Sequence, residues 1–195
     1  MIIVLEGPDG CGKTTQSKAL ARIYNALRIE LPDRGTCTGR LIDRILHGLD
    51  DRDGVTLQAL MSVNKFEVQQ EILEAMARGK NVVLCRWSPS ALVYGEADGC
   101  DPAWLENIHR FLVAPDLCFL LDLPVEVSLE RKGVKAEAYE TRERLTKVRA
   151  IYLKLWAAMQ AKGHGEWIKI NADATAPEVE SDLRTWIGWW ETHRK

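Results

Sequence analysis

The sequence predicts an α/β fold of three layers, a five-stranded parallel sheet with helices on both faces. Three observations predict it. Short runs rich in valine, isoleucine and leucine recur along the chain with helical patterns between them, the alternation that builds parallel sheets. The first of these runs leads directly into a glycine-rich loop and a helix-forming stretch. The 195 residues, 46% hydrophobic and 28% charged, suffice for one well-buried domain and are short for two. No repeat, low-complexity tract or linker divides them, so a single domain over 1–195 is expected.

Residues 1–6 begin Met1-Ile2-Ile3-Val4-Leu5, an apolar, β-branched run suited to a strand buried on both faces. A helix is expected over 13–27 and a second strand at about 28–32. Between 55 and 78, Leu57, Leu60, Met61, Val68, Ile72 and Met76 fall near helical spacing, and Gly79 closes that long helix as a C-cap. The third strand is Asn81-Val82-Val83-Leu84-Cys85. Pro102 after Asp101 opens a helix, Leu117-Cys118-Phe119-Leu120-Leu121 is the fourth strand, and Pro124 after Asp122 opens another helix. A charged amphipathic helix is expected over 139–161 and the fifth strand at 167–170. The last helix, 177–191, carries Val179, Leu183, Trp186 and Trp190 as a stripe expected to face the core.

Bulk properties exclude several function classes. A net charge of -2 leaves no basic footprint for nucleic acid. Five cysteines, an odd number without paired C-x-x-C spacing, point to a reducing cytosol and against a disulfide framework or zinc site. No apolar run approaches the roughly 20 residues of a membrane span, and the first six residues read as a core strand, not a signal. A soluble, cytoplasmic protein is expected.

The chemistry begins at Gly7-Pro8-Asp9-Gly10-Cys11-Gly12-Lys13-Thr14, a complete G-x-x-x-x-G-K-[ST] phosphate-binding loop between a strand and a helix. Loop amides and the helix N-terminus point at one anion, Lys13 adds a charge, and the Thr14 hydroxyl can ligate Mg²⁺. Gly7, Gly10, Cys11, Gly12, Lys13, Thr14 and Thr15 are therefore the candidate triphosphate contacts. Asp51-Arg52-Asp53-Gly54 fits D-x-x-G and Asn64-Lys65-Phe66-Glu67 nearly fits N-K-x-D, but one precedes a helix and the other lies inside it, so a GTPase is disfavoured. Arg34, Lys65 and Arg86 stand near strand ends or in adjoining helices. At the carboxyl ends of an open α/β sheet they converge on a second phosphate facing the first, which implies phosphoryl transfer between nucleotides. Arg131-Lys132-Gly133-Val134-Lys135 reads as a lid around 131–142 over the donor.

In their order and spacing these residues resemble the thymidylate kinase family of P-loop nucleoside monophosphate kinases. Glu6 to Gln16 is close to the pattern E-G-x-[DE]-G-x-G-K-T-T-Q, and Leu31-Pro32-Asp33-Arg34-Gly35-Thr36 is similar to F-P-[DE]-R-x-T. Asn64-Lys65-Phe66-Glu67 is similar to N-R-x-E, and the run from Arg86 to Tyr94 resembles D-R-[YHW]-x-x-S-x-x-A-[YF]. Asp122-Leu123-Pro124 and Arg149-Ala150-Ile151-Tyr152 complete the set. The resemblance implies transfer of the ATP γ-phosphoryl group to a deoxynucleoside monophosphate, dTMP foremost, with Mg²⁺ and in a homodimer. It implies that Asp9, Arg34, Met61, Lys65, Arg86, Ser90 and Tyr94 bind the acceptor, and that Lys13, Arg86, Asp9 and the lid's Lys132 and Lys135 act in transfer, with Arg142 a further lid cation. Thr14 is the implied metal ligand.

The chain departs from the pattern at several positions. Cys85 stands where the family has an aspartate that helps hold Mg²⁺, leaving Asp9, Glu6 and Asp122 as the carboxylates in reach. Lys65 replaces an arginine and Gly95 a polar residue, which leaves open another or modified base. Ala138 replaces a lid arginine. The loss at Cys85 also leaves open a nucleotide-binding regulatory module with weak catalysis.

Overall fold

The run Ile2–Glu6 forms the central strand β1 of a parallel sheet. A computed structural model of the chain describes residues 1–132, 141–163 and 166–193. Around β1 stand β2 (Leu27–Glu30), β3 (Val82–Cys85), β4 (Leu117–Asp122) and β5 (Trp167–Asn171), in the order β2-β3-β1-β4-β5. Every pairing is parallel, with Ile3 opposite both Val83 and Leu117. All five expected strands form, with bounds shifted by one or two residues.

Alternation along the strands builds two cores, because successive side chains leave a sheet on opposite faces. Ile2, Val4, Val82, Leu84 and Cys118 pack against Val68, Ile72 and Ala75 of α3 (Gly54–Ala77). Ile3, Leu5, Val83, Phe119 and Leu121 pack against Leu20 of α1 (Lys13–Ile23) and Val179, Leu183 and Ile187 of α8 (Ala176–His193). Each such aliphatic side chain contributes roughly 1.5–3 kcal/mol on burial. A further apolar cluster joins Val93 and Ala97 of α4 (Ser88–Ala97) to Val148 and Tyr152 of α7 (Arg142–Ala161). Helices α5 (Pro102–His109) and α6 (Val125–Lys132) begin where Asp101-Pro102 and Pro124 place them.

Three sequence expectations change. Helix α1 stops at Ile23, short of 27, because Asn25 takes a left-handed φ of 46° and Leu27 already pairs with Val82. The patterns above assign no element between 33 and 54, yet α2 spans Cys37–Leu46. Thr36 caps it, accepting a hydrogen bond from the Gly39 amide at 3.0 Å, and Ile42 and Ile45 bury against Leu57 of α3. On α8 the core stripe is Val179, Leu183 and Ile187, with Trp190 half-buried beside it. Trp186 is 41% exposed and meets Trp189 edge to face at 6.0 Å. Ile187 lies one position further round the helix than Trp186, which brings it, and not the tryptophan, beneath Leu183.

The lid expected around 131–142 lies largely outside the described residues. Among those described, no helix is long and apolar enough to cross a membrane.

Candidate active site

Beyond Glu6 the chain turns through the glycine-rich loop into α1. Gly7 has φ 138°, and a Cβ there would lie 2.5 Å from the Leu121 carbonyl oxygen, so only glycine lets the loop run this close to β4. Ser128 of α6 donates its hydroxyl hydrogen to the Asp9 carbonyl and pins the outer edge. Lys13 is buried, and its ammonium donates to the Gly7 and Pro8 carbonyls at 2.9 and 2.7 Å. The loop is thus wrapped around a positive charge at a helix N-terminus, a ready anion site. Gly10, Gly12, Lys13 and Thr14 line the cleft there. Cys11 is buried against Gly7 and Lys13, so only its amide is of use to a phosphate, and Thr15 is exposed in the first turn of α1.

At the neighbouring strand end, Arg86 follows β3 with a left-handed φ of 71° while its amide bonds the Leu5 carbonyl at 2.9 Å. This turn carries the guanidinium over the phosphate loop, where it ion-pairs with Asp9 and donates to the Tyr94 hydroxyl at 3.3 Å. Tyr94 in turn donates to Asp9 Oδ2 at 2.9 Å. Burial works against the Arg86 charge, but the Asp9 carboxylate together with Tyr94, Tyr152 and Cys85 outweighs it and holds the pKa well above the ordinary value. Burial, with Asp9 behind it, likewise pushes the Tyr94 phenol up, so it stays a neutral donor. One guanidinium nitrogen of Arg86, Nη1, is buried with no partner among the described residues.

The facing wall comes from the loop after β2 and from α3. Asn64 accepts from the Asp33 amide at 2.8 Å and donates to Thr36 Oγ1 at 2.7 Å, which latches the loop carrying Arg34. Arg34 stands half-exposed on the rim, 2.9 Å from Asp43. Next along α3, Lys65 is buried with its ammonium donating to the Met61 carbonyl at 3.1 Å, and both residues line the cleft. Burial lowers the Lys65 pKa to about 8, Glu6 pulling it up and Arg86 pushing it down.

Asp9, Arg34, Met61, Lys65, Arg86, Ser90 and Tyr94 therefore share with the phosphate loop one cleft of about 770 Å³, a volume suited to small-molecule ligands. Ser90 precedes Tyr94 by one turn of α4, as the spacing predicts, but its hydroxyl donates to Glu6. Gly95 faces α5: a Cβ there would meet the Leu105 side chain at 2.5 Å, so close helix packing requires the glycine. Arg142 pairs with Glu126 on the surface at 2.5 Å. The Lys132 side chain and all of Lys135 lie outside the described residues.

The carboxylates expected near the metal are engaged elsewhere. Glu6, fully buried, accepts from the Trp87 and Ser90 amides at 2.7 and 3.2 Å and from the Tyr152 hydroxyl at 2.8 Å. Asp122 takes a bidentate pair from Arg149 at 2.7 and 3.1 Å. Cys85 is buried, and desolvation raises its thiol pKa, so it brings no charge. Among the described residues no three His, Cys, Asp or Glu side chains gather as a metal cage. Mg²⁺ does not need one, since it keeps several waters and takes its remaining ligands from one or two protein oxygens and the substrate phosphates. The Thr14 hydroxyl suits that role.

Sequence reasoning missed three polar residues of the cleft: Glu30, Gln58 and Arg144. Glu30 accepts from Thr14 Oγ1 at 2.6 Å and pairs with Arg28; these bonds outweigh burial and lower its pKa. As the last residue of β2 it was open to the strand-end rule applied to the cations. Gln58 lies two turns before Lys65 on α3 and donates to Asp98 Oδ2 at 3.2 Å. Arg144, in the first turn of α7, pairs with the same aspartate.

Known proteins match most of the chain. The family model for thymidylate kinase matches residues 5–182. A thymidylate kinase of Dictyostelium discoideum is 31% identical, the match covering 94% of this chain and 82% of that protein. A probable thymidylate kinase of Methanocaldococcus jannaschii is 36% identical over 97% of this chain and 95% of its own length. Among solved structures, thymidylate kinase from Candida albicans superposes with a TM-score of 0.85 at 26% identity, covering 99% of this chain and 93% of that one. The chain belongs to the thymidylate kinase family.

Proposed function

We infer that the protein is an ATP-dependent dTMP kinase, transferring the γ-phosphoryl group of ATP to dTMP to give dTDP. The observation that carries this reading is the Asp9, Arg86 and Tyr94 cluster, which closes over the phosphate loop and leaves one buried guanidinium nitrogen with no partner among the described residues, where two phosphates would meet. The second pKa of a phosphate monoester is about 6, so the acceptor oxygen needs no general base. The chain's work is to position two anions and neutralise them. Lys13 and the loop amides hold the donor, Arg86 lies between donor and acceptor, and Arg34, Met61, Lys65 and Tyr94 take the acceptor, with Ser90 acting through Glu6. Asp9 orients Arg86 and is placed to accept from a sugar hydroxyl. Lys132 and Lys135 of the lid, around 131–142 of a single kinase domain, are the proposed cations for the transferring group.

Mg²⁺ held by Thr14 fits the oxygen donors here, and when bound it would neutralise phosphate charge. We also propose a homodimer, supported by Val63, Leu73 and Met76, which are exposed on α3, and a cytoplasmic location, supported by five free cysteines.

The test is a panel of dTMP, dUMP, dCMP, dGMP and modified pyrimidine monophosphates incubated with ATP and Mg²⁺, the products being separated chromatographically. dTDP should dominate. A preference for another base would move the reading to a related kinase, as Lys65 and Gly95 allow, and ATP binding without any diphosphate would leave a regulatory module.

A further inference from the structure

Cys85 ends β3 where the family pattern has an aspartate, and a thiol is a soft, poor partner for a hard cation or its waters. Glu6, Asp9 and Asp122 are held by Ser90 and Tyr152, by Arg86 and Tyr94, and by Arg149. Glu30 is placed differently. It pairs across the β2 and β3 ladder with Cys85, whose Sγ lies 3.9 Å from Glu30 Oε1, and that oxygen accepts the Thr14 hydroxyl hydrogen at 2.6 Å. A hydroxyl has one hydrogen and two lone pairs. With its hydrogen given to Glu30, Thr14 can offer a cation only lone pairs, which is what a ligand must do. Arg28 fixes the carboxylate through Oε2 and is itself anchored on Ser17 Oγ at 2.8 Å. Each carboxylate oxygen still has acceptor capacity.

We propose that Glu30 is the metal-positioning carboxylate of this protein, moved one strand outward from β3 to β2 to replace the group lost at Cys85. It orients the Thr14 hydroxyl and supplies negative charge beside a divalent cation bound with the nucleotide. The proposal rests on the reading that a metal nucleotide occupies the phosphate loop. Glu30 is a positioning residue, acting through Thr14.

The test measures affinity of the full chain for a non-hydrolysable imido analogue of ATP, with Mn²⁺ and with EDTA, in the unaltered protein, Glu30→Gln and the double variant Glu30→Gln with Cys85→Asp. The ratio of the two affinities reports the metal alone. Glu30→Gln should reduce that ratio about tenfold, the usual effect of losing a group that orients a metal ligand, with the EDTA affinity no weaker, since a negative charge beside the phosphates has been removed. The double variant should recover most of it, because a carboxylate returns to the adjacent strand end. An unchanged ratio in Glu30→Gln overturns the proposal alone. So does an equal loss with Mn²⁺ and with EDTA, which would mark Glu30 as structural, or a double variant as weak as the single one. If Mn²⁺ fails to tighten binding even in the unaltered protein, the metal nucleotide reading falls as well.

Discussion

Arg86 concentrates the residue-scale chemistry. A non-glycine residue in the left-handed region costs on the order of 1–2 kcal/mol, and here φ is 71°. The ion pair to Asp9 and the contact with the Tyr94 ring, 5.0 Å from the guanidinium carbon, offset that cost. Arg86→Lys should keep the charge and lose the planar fork that serves Asp9 and phosphate together. We expect kcat to fall by about 10²–10³ in steady-state assays with little change in melting temperature. Lys65 gives a pH signature. Its pKa is lowered to about 8 from 10.5, so below pH 8 it is charged in both states and burial of that charge opposes folding. Between about 8 and 10.5 the folded protein has lost the proton and the unfolded chain has not, so stability should rise with pH across that window, by up to about 3 kcal/mol. Urea unfolding at several pH values should show the rise in the unaltered protein and lose it in Lys65→Met. The KM for dTMP should increase over the same window as the charge facing the acceptor disappears, and Lys65→Arg should flatten it.

At the scale of elements, Glu6 fastens the site together. Helix α4 has Trp87 at its N-cap position, with no capping side chain of its own, and the Glu6 carboxylate at the end of β1 takes the Trp87 and Ser90 amides instead. Its other oxygen takes Ser90 and Tyr152, which ties α7 to the same strand end. Glu6→Gln replaces a charged acceptor by an amide whose NH₂ faces donors. It should lower stability by about 1–3 kcal/mol in urea titrations, and it should lower kcat as well, since α4 carries Tyr94. The sequence reading identified Glu6 only as part of a motif and as a possible metal carboxylate, because a helix cap supplied from another element leaves no local pattern. Helix α2 went unassigned although its signals are local: Thr36 before a run with Ile42 and Ile45 is an N-cap followed by helical periodicity. Its position is less legible, since Gly39 lies where a Cβ would come 1.7 Å from the Asp33 carbonyl oxygen, a close approach made only in the folded chain.

Across the whole molecule, the order β2-β3-β1-β4-β5 brings Glu30, Cys85, Glu6 and Asp122 side by side at the carboxyl ends of the strands. The exposed side of α3 belongs to this scale too. If Val63, Leu73 and Met76 cover a second copy, light scattering should give twice the chain mass, and Leu73→Glu should shift it toward the monomer while melting of the isolated chain changes little. The sequence by itself determined the parallel sheet, through apolar runs alternating with helical periods, and the phosphate loop, because strand, glycines, Lys13 and Thr14 are contiguous and their chemistry is local. Motif order and the strand-end rule also singled out Arg34, Lys65, Arg86 and Tyr94, which line one cleft. Only the tertiary structure decided which charges meet. Asp9 went to Arg86, Asp122 to Arg149, and Glu6 to the start of α4, while Glu30, which no motif names, reached Thr14. Ion pairs and caps between residues far apart in sequence depend on strand order and register, and these are fixed by packing of both sheet faces at once.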